Sequence, residues 1–331
     1  VRRYQPDVVL DSHESAVLKR TTLAKEGYLT DFYAQFESAN NPAVPSETRQ
    51  FTLDAVLPEL ISRVTKLGLP AHRYIGEITS IHQPITDGGL TLKNFRNMAG
   101  LNGALSFLVE TRLDSRDETY PTYRNIGERV ERQLICLRAF LDTMATQKTQ
   151  VEAQVSHLRE AMNTQPVAMA ARYVADQHHP DVAIALRRLD NHELQTLIFP
   201  DHRKMIADIA IPMPKSLAIT DHVAEMAQYL QKHQISYETL TTPRELDMIP
   251  SRYLPGVSTS KTSGNEGVAR PAASKKNVRI PAGSLWVDLS QPTGRLAVSL
   301  LDPRSISSVF RYSPYASMLT ANRDFFIYPV P

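Results

Sequence analysis

The chain alternates short apolar runs with polar stops. The first, "DVVLDS" (7–12), is β-branched, follows Pro6 and gives way to Asp11, Ser12, His13 and Glu14, which predicts a short buried strand with a polar end. Residues 47–68 set Leu53, Val56, Leu57, Leu60, Ile61 and Val64 at helical spacing and stop at Gly68, predicting an amphipathic helix with a C-terminal glycine despite Pro58. A second apolar strand is predicted at "GALSFLVETRL" (103–113), again ending in charges, Glu110 and Arg112. From Pro121 to about Met144, Ile126, Val130, Leu134, Leu137 and Leu141 share one stripe, predicting a long helix with its charged face in water; another helical stretch runs from about Thr149 to Met162.

The texture then changes. "VAMAARYVA" and "VAIALRRL" alternate as strands do, and "TDHVAEMAQYLQKHQI" reads as a helix capped by Thr220 or Asp221. The Ser, Lys, Gly and Pro-rich segment 256–276 predicts a long exposed loop. "RIPAGSLWVDLSQPTGRLAVSLLDP" resumes order with a strand, a turn and a helix from Gln291. No internal repeat is present. A boundary near 147–164 divides the chain into an α/β part over 1–147 and a smaller α+β part over 164–331.

Composition narrows the function. With 37 basic and 35 acidic side chains the net charge is near zero, and no basic cluster interleaves with aromatics, which argues against nucleic acid and anionic membrane as partners. No apolar run approaches the roughly 18 to 20 residues that span a bilayer. Cys136 is the single cysteine, so there is no intrachain disulfide and no Cys-rich zinc module; within "ERQLICLRAFL" it reads as a small buried hydrophobe. The chain begins "VRRYQPD", without an initiator Met or a signal peptide.

In open α/β sheets the ligand crevice lies beyond the carboxyl ends of the strands, which directs attention to His13 and Glu110. Imidazole binds zinc, a carboxylate beside zinc accepts a proton from metal-bound water, and Asp11 lies two residues before His13, on its face of the strand, where it can orient the imidazole. By spacing alone, a solvated histidine at a strand end and a surface Glu110–Arg112 ion pair account for the same residues. "HESAV" and "HELQT" begin like a two-histidine zincin helix but carry Val17 and Thr196 where the second histidine belongs. His222 and Glu225 lie in an amphipathic helix, and His178 and His179 stand next to a turn proline. No Gly-rich phosphate loop and no Gly-x-Ser-x-Gly elbow occur.

Taken together, "PDVVLDSHES", "RNMAGLNGALSFLVETR" and "YRNIGERVERQLICLRAFLDTM" resemble the later half of the zinc carboxypeptidases of the pancreatic carboxypeptidase type. "RIPAGSLWVDLSQPTGRLAVSLLDPRSISSVFRY" is similar to the C-terminal extension of bacterial members. The resemblance implies an α/β fold, half of a mixed-sheet, three-layer carboxypeptidase-like domain followed by a smaller α+β domain. It implies Zn2+ as cofactor, His13 as metal ligand, Glu110 as catalytic base and acid, and a peptide or protein C-terminus as substrate. Arg96 is then a candidate for holding a substrate carboxylate, Arg112 for steadying Glu110 or the substrate, and Tyr120, with Tyr123, for lining the pocket.

The family's His-x-x-Glu zinc motif and its carboxylate-binding arginines precede the ligand histidine and are absent here, so the chain alone is expected to be inactive. Tyr74, the only tyrosine between 34 and 119, is hard to equate with the family's mobile tyrosine. The resemblance alone favours a periplasmic or secreted location. A related zinc amidohydrolase of the deacylase or desuccinylase kind and a non-catalytic peptide- or glycan-binding module are the alternatives.

Overall fold

Apolar residues at period two and at period three to four build a mixed α/β chain, seen in a computed structural model that describes residues 1, 3–18, 21–114, 125–254, 268–271, 276–320 and 323–331. The backbone divides into two units, 1–158 with 172–206, and 159–171 with 207–331.

The first unit opens with β1 (Val8–Ser15), β2 (Tyr28–Thr30) and β3 (Ala34–Ser38). The predicted helix at 47–68 is present in two pieces, α1 (Ser46–Phe51) and α2 (Leu57–Lys66), joined by a π-helical turn over Thr52–Val56; Gly68 follows in the left-handed region, φ +89°. Pro58 directly follows the π-helical turn, in which Leu57 N–H reaches back to Thr52 O, so the widened turn stands where the proline has no N–H to continue the regular helical ladder. Then come β4 (Ala71–Arg73), α3 (Phe95–Gly100), β5 (Leu105–Arg112), α4 (Ile126–Thr146) and α5 (Lys148–Ala161). The sheet runs β1-β5-β3-β4, with β1 parallel to β5, β3 antiparallel to β5 and β4 parallel to β3. Phe36, Phe107 and Val109 from the sheet, and Val56, Leu57, Leu60 and Val64 beside or within α2, are fully buried.

The orientation of α4 corrects the sequence reading. Its stripe of Ile126, Val130, Leu134, Leu137 and Leu141 is exposed, by 38% to 65%, and the buried face carries Arg132, Cys136, Ala139, Phe140 and Thr143. Polar anchors decide the rotation. The Gln133 amide donates to His13 O (2.8 Å) and Thr111 Oγ1 (2.8 Å), Arg132 donates to Arg112 O (3.0 Å) and lies over the Tyr33 ring, and Arg129 pairs with Glu14. Small Cys136 and Ala139 let the helix approach, and Phe140 meets Phe107 edge-on.

Strands β6 (Val167–Val174) and β7 (Asp181–Arg188) match the two alternating runs, followed by β8 (Leu194–Pro200) and β9 (Lys204–Ile211). Segment 172–206, which falls beyond a boundary near 147–164, belongs to the first unit. β7 pairs antiparallel with β2 and with β8, and Ile184, Leu186 and Phe199 join Leu23, Phe32, Ile75, Ile78 and Ile85 in one buried cluster.

The second unit holds β10 (Ser216–Ile219), α6 (Val223–Lys232), β11 (Glu238–Thr239), β12 (Arg244–Met248), β13 (Ser251–Leu254), β14 (Val268–Pro271), β15 (Lys276–Ile280), β16 (Leu285–Asp288), α7 (Gly294–Leu301) and β17 (Ile327–Val330). Its antiparallel sheet runs β11-β16-β10-β17, beside the pairs β12–β15 and β13–β14. The predicted loop at 256–276 lies mostly outside the described residues, but 268–271 are strand and Lys276 begins another. Neither Thr220 nor Asp221 caps α6; His222 holds the cap position at φ +49° without a side-chain bond to the helix. No helix of the described residues is long and apolar enough to cross a membrane.

All eight residues of α7 are buried, Arg295 included. A helix buried on every side has to satisfy any polar group it carries. The Arg295 guanidinium does so by donating to Gln165 O (2.8 Å), Pro166 O (2.7 Å) and Met162 O (3.3 Å). Arg295→Met leaves those carbonyls without their donor and is expected to cost about 1–3 kcal/mol, read as a lower urea midpoint with unchanged slope.

Candidate functional site

In a sheet, residues paired across strands project to the same face. His13 pairs with Glu110 across β1 and β5, and Glu110 pairs with Gln35 across β5 and β3, which sets His13, Glu110 and Gln35 in one row toward the carboxyl ends of the two parallel strands. Asp11 shares that face and its Oδ1 lies 2.9 Å from His13 Nε2, fixing the ring and leaving Nδ1 as the other nitrogen. The His13 side chain is 53% exposed. The opposite face of β1 and β5 presents Ser12 and Thr111 to Gln133 of α4, so the helix covers the back of the row rather than the row itself.

Glu110 lines a cavity of about 320 Å³ with Glu14, Gln35, Tyr74, Glu77 and Thr30. Gln35 Oε1 accepts from the Ile75 amide (3.0 Å), and Tyr74 N–H donates to Phe36 O (2.8 Å), which bind the Tyr74 segment to β3. Burial, with the charges of Glu110 and Glu37 adding to it, holds the Tyr74 phenol well above its ordinary value, so its hydroxyl keeps its proton.

Two residues along β3 from Gln35, Glu37 is buried, with its Oε2 2.5 Å from Nη2 of buried Arg96. Glu37 Oε1 also accepts from Asn40 Nδ2 (2.7 Å) and Gly88 N (2.7 Å). A Cβ at Gly88 would stand 2.6 Å from both Glu37 Oε2 and Arg96 Nη2, so the approach requires glycine. Asn40 Nδ2 reaches the Tyr173 hydroxyl (2.8 Å), Tyr173 donates to Gly88 O (3.0 Å), and Arg73 pairs with Asp87. Burial pushes the Glu37 carboxyl up to about 8, against the pull of Arg96.

Asp11, His13 and Glu110 are therefore together on one face. Arg96 stands apart, committed to Glu37 and only 5% exposed. Arg112 follows Glu110 on the same face but is buried, its Nη1 donating to Thr30 O (3.4 Å) and its guanidinium lying 5.6 Å from the centre of the Tyr33 ring. Tyr120 and Tyr123 lie outside the described residues. Sequence reasoning missed Gln35 and Glu37, because "YAQFESAN" intersperses polar with apolar residues and lacks the continuous apolar run that singled out the other two strands.

Among the described residues no three His, Cys, Asp or Glu side chains gather as metal ligands. A zinc site draws on three or four donors, so the imidazole of His13 does not compose one by itself. Compared with protein-family models, with curated proteins and with solved structures, the chain matches none.

The Glu37 carboxyl has a sharp consequence for stability. Its folded value, about 8, exceeds the ordinary 4.5, so the folded state holds the proton more tightly. Its contribution is therefore most favourable below about 4.5, declines as pH rises toward 8 and is level above. Urea unfolding from pH 5 to 9 is expected to show this decline in the wild type and its loss in Glu37→Gln; parallel curves would contradict the assignment.

Proposed function

We propose that the first unit carries part of a zinc-dependent hydrolase site of the carboxypeptidase kind, acting on the C-terminal peptide bond of a peptide or protein. The finer fold assignment, half of a mixed-sheet carboxypeptidase-like domain, belongs to the same proposal. The observation that supports it is the register: His13 lies directly across from Glu110 on parallel strands, with Asp11 on the imidazole and a cavity beside the carboxylate.

Zn2+, when bound, polarises a carbonyl and acidifies water. His13 supplies one donor for it, and the reading requires the remaining donors from outside the described residues. Glu110 takes a proton from the attacking water as the new C–O bond forms, then delivers it to the leaving amine as the C–N bond breaks, for which it has to lie within hydrogen-bond reach of both. Tyr74, protonated and beside Glu110, is placed to donate a hydrogen bond to the substrate in the same cavity. Arg96 is not assigned to the substrate, because it is buried and engaged with Glu37.

The test is hydrolysis by the full-length, zinc-supplemented protein of benzoyl-glycyl dipeptides against N-acetyl amino acids. Cleavage of the blocked dipeptides, lowered about 100- to 10,000-fold in kcat by Glu110→Gln with folding intact, is the expected result. Preference for N-acetyl amino acids moves the site to the deacylase class. Hydrolysis of neither, or equal rates in wild type and Glu110→Gln, overturns the proposal.

A further inference from the structure

A second cavity of the first unit, about 580 Å³, lies between β3, the α1 region and residues 173–205, and includes neither His13 nor Glu110. Its volume is within the usual range for small-molecule sites, about 300–1,000 Å³. The wall is dense in charge, and nearly every cation on it has a carboxylate. Arg73 pairs with Asp87, Arg203 with Asp201 (2.5 Å), and Lys204 with Asp176 (3.6 Å).

Arg49 is the exception. Among the described residues no carboxylate is within ion-pair range of it, and its Nη1 donates to Met205 Sδ at 3.2 Å, a weak acceptor. Arg49 is half-buried, and this partial burial pushes the guanidinium down to about 10. Arg295 shows how the chain treats a purely structural buried arginine, with three main-chain carbonyls around it. Arg49 has nothing comparable. It sits just before the π-helical turn Thr52–Val56, a local geometry that recurs at functional sites, and Asp54 of that turn also lines the cavity.

We propose that this cavity is a binding site for a small monocarboxylate, with Arg49 as the group that receives the carboxylate. A planar carboxylate accepts two parallel N–H donors from a guanidinium, a match that a thioether cannot provide. Asp54, Asp87, Asp176 and Asp201 on the same wall disfavour a dianion such as phosphate. The Tyr173 hydroxyl donates to Gly88 O and accepts from Asn40, which leaves one acceptor lone pair for a donor group of the ligand. The inference does not depend on the hydrolase reading.

Calorimetric titration of the full-length protein with N-acetylglycine and with inorganic phosphate tests it. Saturable one-site binding of N-acetylglycine, at least about tenfold tighter than phosphate, is expected. Arg49→Met should weaken that binding at least about tenfold while leaving the ligand-free melting temperature nearly unchanged, since Arg49 is half-buried and the substitution breaks no ion pair. Arg49→Lys, which keeps the charge but not the fork, should also weaken it and serves alone if Arg49→Met fails to fold. Binding should persist in Glu110→Gln, which separates this cavity from the one beside Glu110. Absence of saturable binding, full affinity in the Arg49 variants, loss in Glu110→Gln, or tighter binding of phosphate would overturn the assignment.

Discussion

The parallel pairing of β1 with β5 is the constraint on which the candidate site depends. Side chains alternate faces along a strand, so a slip of one residue would carry His13 and Asp11 to the face opposite Glu110. The register is clamped from behind, where one amide of α4, Gln133, donates both to the His13 carbonyl on β1 and to the Thr111 hydroxyl on β5. Arg129 and Glu14 add a second tie from the same helix to β1. The polar face of α4 therefore holds the two strands in line, and the row of His13, Glu110 and Gln35 follows from it.

That arrangement explains which parts of the sequence were legible. An apolar β-branched run ending in charge is a local signal, and it located both β1 and β5 with their polar ends. The helix at 47–68 was legible for the same reason, since Leu57, Leu60 and Val64 recur on one face and are buried. For α4 the same periodicity was present and pointed the wrong way. The hydrophobic stripe of a helix normally seeks the core, but here hydrogen bonds to strand backbone, a cation over Tyr33 and the small side chains Cys136 and Ala139 set the rotation. Those are tertiary terms that no spacing encodes. The return of β7 to the first unit is likewise a long-range pairing, with Tyr28–Thr30 more than 150 residues earlier.

The interior polar groups show a second limit of sequence reading. Arg96 looked like a substrate-facing arginine because an arginine upstream of Glu110 suits that role; burial against Glu37 gives it a structural partner instead. Glu37 went unnoticed because its strand is short, yet it organises Asn40, Gly88 and Arg96 around one carboxylate. Arg49 carries no signal in the sequence at all. It is distinguished only by what surrounds it, a sulfur atom where a carboxylate or a set of carbonyls would be expected.

We propose His13, oriented by Asp11 and set opposite Glu110, as a metal ligand. Elemental analysis of zinc in the purified full-length protein, beside His13→Ala, tests it most directly. The account predicts about one zinc per chain in the wild type and its loss in the variant. Zinc in neither protein, or zinc retained without His13, would contradict it.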